Sequence, residues 1–124
     1  MSTSIPKSFS AITGTWAPHL VGSVNGQHVK IAKIDGPFVL HSHPASDELF
    51  YVLSGRLTLT FEDRDDVVMD PGDMYVVPRG VRHCPVADKA QIMLVEAADT
   101  INTGDPPASE RTRAVNTRFA RGLA

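Results

Sequence analysis

His41-Ser42-His43-Pro44-Ala45-Ser46-Asp47-Glu48-Leu49-Phe50-Tyr51-Val52-Leu53-Ser54-Gly55 opens with two imidazoles one residue apart and runs into an apolar stretch that ends on glycine. In an extended chain residues i and i+2 point to the same side, so His41 and His43 can address one point in space. Glu48 follows across the Pro44-Ala45-Ser46-Asp47 turn, and His83 stands in a second strand-like segment downstream. Three imidazoles and a carboxylate converging from different strands suit one divalent transition metal, Fe, Mn, Ni, Zn, Co or Cu.

Ser54-Gly55 reads as a two-residue hairpin loop between Glu48–Leu53 and Arg56–Glu62. Cross-strand partners share a face. One face then carries Glu48, Phe50, Val52, Leu57, Leu59 and Phe61, and the other Leu49, Tyr51, Leu53, Arg56, Thr58 and Thr60. The first set is apolar except for Glu48. A lone carboxylate on a buried stripe is costly to desolvate unless it is paired, and a metal cation would be its partner.

Working outward, Leu20–Val24 and Gln27–Ile34 flank Asn25-Gly26, a strong hairpin signal. Phe38–His43, Val67–Met69, Met74–Val77, His83–Val86 and Ala90–Glu96 are further β-rich runs. Asp70-Pro71-Gly72-Asp73 fits a type II turn and Val77-Pro78-Arg79-Gly80 a type I turn. Short strands at close turn spacing predict an all-β sandwich or barrel over 19–97. Residues 1–18 form an N-terminal segment with one short helical turn near Lys7 to Ile12. Residues 98–124 form a linker and a tail, where Ser109 is a plausible N-cap and Val115, Phe119 and Leu123 recur at helical spacing. Arg111, Arg113, Arg118 and Arg121 make that tail locally basic, which reads first as a solvated face.

With 124 residues, 42% hydrophobic and 21% charged, the chain is long enough for one core without staples. A net charge of -2 gives no basic field, so nucleic acid is not an expected partner. No apolar run approaches membrane-spanning length, and the single cysteine, Cys84, leaves no disulfide framework. The expectation is a cytoplasmic protein with no membrane partner. Cys84 points away from His83 along its strand and reads as a small core residue.

The stretch from Gly36 through His41, His43, Glu48 and Gly55 resembles the first motif of the cupin superfamily, and Gly72 through Pro78, Gly80 and His83 resembles the second. Two departures stand out: Gly36 is one residue closer to the histidine pair than usual, and Ala87 occupies a position that is usually Asn. The resemblance implies a single-domain jelly-roll (double-stranded β-helix) barrel, similar to mannose-6-phosphate isomerase-like cupins, with a metal inside one end and commonly a homodimer. His41, His43, Glu48 and His83 would be the metal ligands. Glu48 sets the site apart from the three-histidine centres of thiol dioxygenases.

The function expected is metal-dependent catalysis on a small organic molecule, of isomerase, dioxygenase or lyase type. The alternative is a non-catalytic metal- or ligand-binding module. No catalytic acid or base is identified beyond the ligands. Phe50, Val52, Leu57, Leu59 and Met93 or Leu94 are the expected cavity walls, with Tyr75 or Arg79 near the mouth. His19 and His28 match no motif and read as ordinary strand residues.

Overall fold

Asn25 and Gly26, at φ 50° and 76°, turn the chain between β1 (His19–Val24) and β2 (Gln27–Pro37), which pair antiparallel as the dipeptide predicts. This is a computed structural model, and it describes residues 2–104 and 112–119. The remaining strands are β3 (Glu48–Phe61), β4 (Val67–Met69), β5 (Met74–Val77) and β6 (His83–Ala97). All pair antiparallel in the order β1-β2-β6-β3-β4, with β5 also on β3. This is a jelly-roll barrel. Among the described residues no helix is long and apolar enough to cross a membrane.

Ser54-Gly55 is not a hairpin loop. β3 runs straight through it, and its partner is β6, with register shifts between Val52 and Arg56. A β-bulge and a two-residue hairpin both shift side-chain alternation by one residue, so periodicity could not tell them apart. Here both strands slip together. On β3 the buried positions pass from Phe50 and Val52 to Leu57 and Leu59, and on β6 from Ile92 and Ala90 to Ala87, Pro85 and His83. Gly55 sits at φ 76°, and a Cβ there would collide with the Lys89 carbonyl and come within 2.7 Å of the Ala90 Cα. The crossing strand leaves room for glycine alone.

Bulges bend strands. The ladder partner of His83 is Phe61, at the far end of β3 from Glu48. Yet the His83 ring lies 6.0 Å from that of Phe50 and its Nε2 is 3.1 Å from Glu48. The bent ladder brings its two ends together. His83–Val86 and Ala90–Glu96, read as separate runs, are likewise one strand, β6.

Other expectations shift locally. Phe38–His43 is no strand; it touches β6 through Phe38 N donating to Pro85 O and through the His41/His83 backbone pair. The Asp70–Asp73 turn closes as expected, with Asp73 N on Asp70 O at 2.9 Å. The next turn closes one residue later than expected, Val81 N on Pro78 O, because Gly80 adopts φ 78°. Helix α1 (Ile5–Ser10) starts earlier than the sequence reading, capped by Ser4, whose Oγ accepts from Lys7 N. Residues 112–119 form no helix: Asn116 bridges to His19 in an extended segment. Ser109 and Leu123 lie outside the described residues.

Two apolar clusters result. One fills the barrel, with Phe50, Val52, Leu57, Leu59, Met69 and Ile92 among its members. The other lies on the outer face, where Phe9 and Ile12 cover Val21 and Ile31. The α1 segment thus shields part of that outer face, while Met74, Val76 and Val68 stay 54%, 42% and 56% exposed.

Candidate metal centre

His41 and His83 exchange both backbone hydrogen bonds, at 2.9 and 2.8 Å, and directly paired residues present their side chains on one face. The Gly80 N–H holds the His43 carbonyl at 3.0 Å, tying the histidine loop to the turn before β6. Glu48 enters from the first position of β3. All four side chains are buried, and one ligating atom from each lies within 4.8 Å of the others. Donors about 2.1 Å from one ion lie no more than about 4.2 Å apart, so small side-chain movements would close the set.

The hydrogen bonds fix what each ring offers. His41 Nδ1 lies 2.8 Å from the Val39 carbonyl and His83 Nδ1 2.9 Å from that of Val81. A carbonyl only accepts, so both Nδ1 atoms carry a proton and each ring turns its Nε2 inward. His19 makes the same contact to Ala17, so that pattern alone is no metal signature. What distinguishes the centre is what faces those nitrogens. His83 Nε2 meets Glu48 Oε1 at 3.1 Å, and the buried His43 Nε2 stands 3.4 Å from Glu48 Oε2. Ring nitrogens this close to carboxylate oxygens need a proton or a metal cation between them.

The electrostatics set the charge of two of the four groups. Burial, and then the neighbouring His83, lower the His41 pKa to about 4 despite the Val39 carbonyl and Glu48, so this ring is neutral at physiological pH. For Glu48 burial pushes upward, but hydrogen bonds with His43, His83 and Glu96 outweigh it and hold the carboxyl well below its usual range. Imidazole nitrogens with an anionic carboxylate, and no thiolate, fit a borderline divalent ion.

Sequence reasoning missed a second polar group. Lys30 donates to Glu96 Oε1 at 2.9 Å, and the two residues are 1% and 2% exposed. Glu96 also contacts Glu48; burial first, then that neighbour, raise its pKa to about 9 against the opposing pull of Lys30. Period-two alternation places Lys30 with Ala32 and Ile34, and Glu96 with Ile92 and Leu94, on inward-facing positions. That was the available signal.

The cavity beside the site, about 40 Å³, is walled by Trp16, Ile34, Phe38, Phe50, Ile92 and Leu94, with His41, Glu48, Glu96 and Asn102 as polar groups. Of the expected walls only Phe50 and Leu94 line it. Val52, Leu57 and Leu59 are wholly buried core, and Met93 packs with the outer cluster. Tyr75 packs on Phe61, and Arg79 pairs with the exposed Asp47. Gly104 presses on the histidine loop: a Cβ there would collide with the Ser42 carbonyl and come within 2.9 Å of His41 Cδ2. Cys84 is half-buried, and burial raises its thiol pKa.

Residues 27–96 match the Cupin_2 family, the cupin domain, and the chain belongs to that family. It is 38% identical over 63 residues to the uncharacterized protein YdbB of Bacillus subtilis, covering 51% of this chain and 56% of that protein. A crystal structure of a cupin-2 domain containing protein from Shewanella frigidimarina superposes with a TM-score of 0.70 at 32% identity, over 76% of this chain and 91% of the other. Hydroquinone 1,2-dioxygenase PnpCD, solved with Fe3+, shares the fold at a TM-score of 0.67 and 22% identity, over 77% of this chain and 32% of that one. The chain spans about half the length of the curated relatives it matches.

Proposed function

We propose that this chain is a metal-dependent cupin enzyme acting on a small organic molecule, by isomerisation, oxygenation or lyase-type bond cleavage. His41, His43, Glu48 and His83 would hold one divalent ion. The observation that carries this reading is the convergence of the four buried side chains, with His83 Nε2 3.1 Å from Glu48 Oε1 and His43 Nε2 3.4 Å from Glu48 Oε2. When bound, the ion would supply Lewis acidity and an open coordination position. The chain supplies an apolar wall led by Trp16 and Phe38, stacked at 4.6 Å, that excludes water and takes a small, mostly apolar ligand.

The narrowness of the cavity on the His41 and Glu48 side favours a second reading, a module that binds metal or a small ligand without turnover: about 40 Å³ is room for a few waters, and the larger space, about 250 Å³, lies on the other side, against His43 and Gly104. Elemental analysis separates metal binding from its absence. Near-stoichiometric metal in the wild type, lost in His41→Ala and Glu48→Ala, is the expected result, and equal metal in all three would reject the site. Dioxygen consumption by the iron-loaded protein then separates oxygenase chemistry from the other readings.

A homodimer through the exposed face around Val76 and Met74 is part of the proposal, supported by that apolar area. A monomeric mass in light scattering at micromolar concentration would refute it. A cytoplasmic setting is supported by the lone, half-buried cysteine, and the net charge of -2 supports a small molecule rather than nucleic acid as partner.

A further inference from the structure

Burying an ammonium and two carboxyl groups inside one small barrel is costly, and apolar residues of similar volume fill such space at least as well. The register states what these groups face. Leu49 pairs with Val95, so Glu48 and Glu96 fall opposite one another at the next position of the β3–β6 ladder. Lys30 pairs with Leu94 on the other side of β6, which sets it diagonal to Glu96. Like charges directly opposite on a sheet are destabilising, so two carboxyls at this position must share a proton or a cation. Lys30 fixes Glu96 Oε1; Glu96 Oε2 is buried and meets no N–H or hydroxyl donor, and the carboxyl lies against that of Glu48.

We propose that Glu96, anchored by Lys30, is a positioning residue for Glu48, fixing the orientation in which the Glu48 carboxylate is presented to a divalent metal. The line Lys30, Glu96, Glu48 runs across three adjacent strands, β2, β6 and β3, and ends at the histidines. A pair that served packing alone would have no need to lie against the single carboxylate of the centre. This inference rests on the reading of the four-residue cluster as a metal site.

Co(II) titration of the metal-free protein tests it, read by visible absorption and by competition with a chelator. Three variants are compared with wild type: Glu96→Gln, Lys30→Met, and Lys30→Met/Glu96→Leu. Glu96→Gln keeps an oxygen for Lys30 and an N–H donor for Glu48, so its spectrum should overlay that of wild type. The double variant exchanges the pair for apolar groups and should weaken Co(II) binding by roughly 10–100-fold with displaced bands. Lys30→Met leaves Glu96 free to turn and should weaken binding in the same direction, which decides the matter should the double variant not fold. Removing a positive charge would by electrostatics alone strengthen cation binding, so weakening reports positioning. Affinity and spectrum unchanged in Lys30→Met and in any folded double variant would overturn this inference while leaving the metal site standing. A wild type that takes up no Co(II) would overturn both.

Discussion

Two buried polar groups sit side by side in this barrel, the His41/His43/His83/Glu48 cluster and the Lys30–Glu96 pair, and they are held in opposite ways. All four cluster residues come from loops or strand starts, and three are oriented by backbone groups: Val39 and Val81 carbonyls fix two rings, and Gly80 fixes the His43 carbonyl. The pair stands within strands β2 and β6 and is held side chain to side chain. The cluster turns ring nitrogens and a carboxylate on one another, a set that suits an added cation. The pair brings its own cation in Lys30. One group is arranged for an added ion and the other is nearly self-sufficient, and Glu48 is where they meet.

The largest effect that would break this contrast comes from removing half of the self-sufficient pair. Glu96→Leu strands the buried Lys30 ammonium and should cost about 3–5 kcal/mol in denaturant unfolding of the metal-free protein, whereas Lys30→Met/Glu96→Leu should recover most of that. His83→Ala, which leaves His43 beside Glu48, should cost less, roughly 1–3 kcal/mol. Equal losses in Glu96→Leu and His83→Ala would erase the distinction.

The pH dependence of the metal-free protein sharpens it, because the two groups oppose one another in sign. His41 falls from 6.5 to about 4 on folding, so the unfolded chain binds the extra proton and stability drops as pH falls between those values, by at most roughly 3 kcal/mol. Glu96 rises from 4.5 to about 9, so the folded chain keeps the extra proton and stability drops as pH rises through that window. Between pH 4.5 and 6.5 the two slopes offset one another, and above it Glu96 alone acts. Denaturation curves should therefore show wild type losing stability above pH 6.5, and Glu96→Gln losing it instead below pH 6.5. A Glu96→Gln curve parallel to wild type would contradict the assignment.

A smaller effect touches the cluster alone. Gly104→Ala would press on the Ser42 carbonyl and the His41 ring at a backbone φ of 63°. It should cost about 1–3 kcal/mol. It should also weaken metal uptake while leaving the Lys30–Glu96 pair intact, as measured by Co(II) titration beside Lys30→Met.

The cluster was legible in the sequence because its residues stand at turn-bounded, motif-like positions where polar side chains interrupt apolar runs. The barrel was legible for the same reason. The inner face of β3 was assigned correctly from a mistaken turn, since hairpin and bulge leave the same alternation. The pair escaped notice because Lys30 and Glu96 sit 66 positions apart, each in a strand whose ladder partner the sequence does not name. Two residues of ordinary surface type become one buried unit only when β2 and β6 are aligned. The tail was misread over 112–119, where Asn116 finds a β partner in His19 and Phe119 packs against the Phe9 and Ile12 cluster, contacts that outweigh a weak helical period.

The paired bulge at Ser54-Gly55 and Asp88-Lys89 also bears on how the molecule is made. Glu48 and His83 are 35 residues apart and lie toward opposite ends of one ladder, so no local segment of the chain can bring them together. They meet only after β6 has zipped along β3 and the bend has formed, a step that carries the loop-closure entropy of a high-contact-order fold. The polar centre is therefore expected to form late in folding. A ligand that needs the complete set gains nothing from earlier states on the pathway, and its stabilisation is expressed as slower unfolding rather than faster folding.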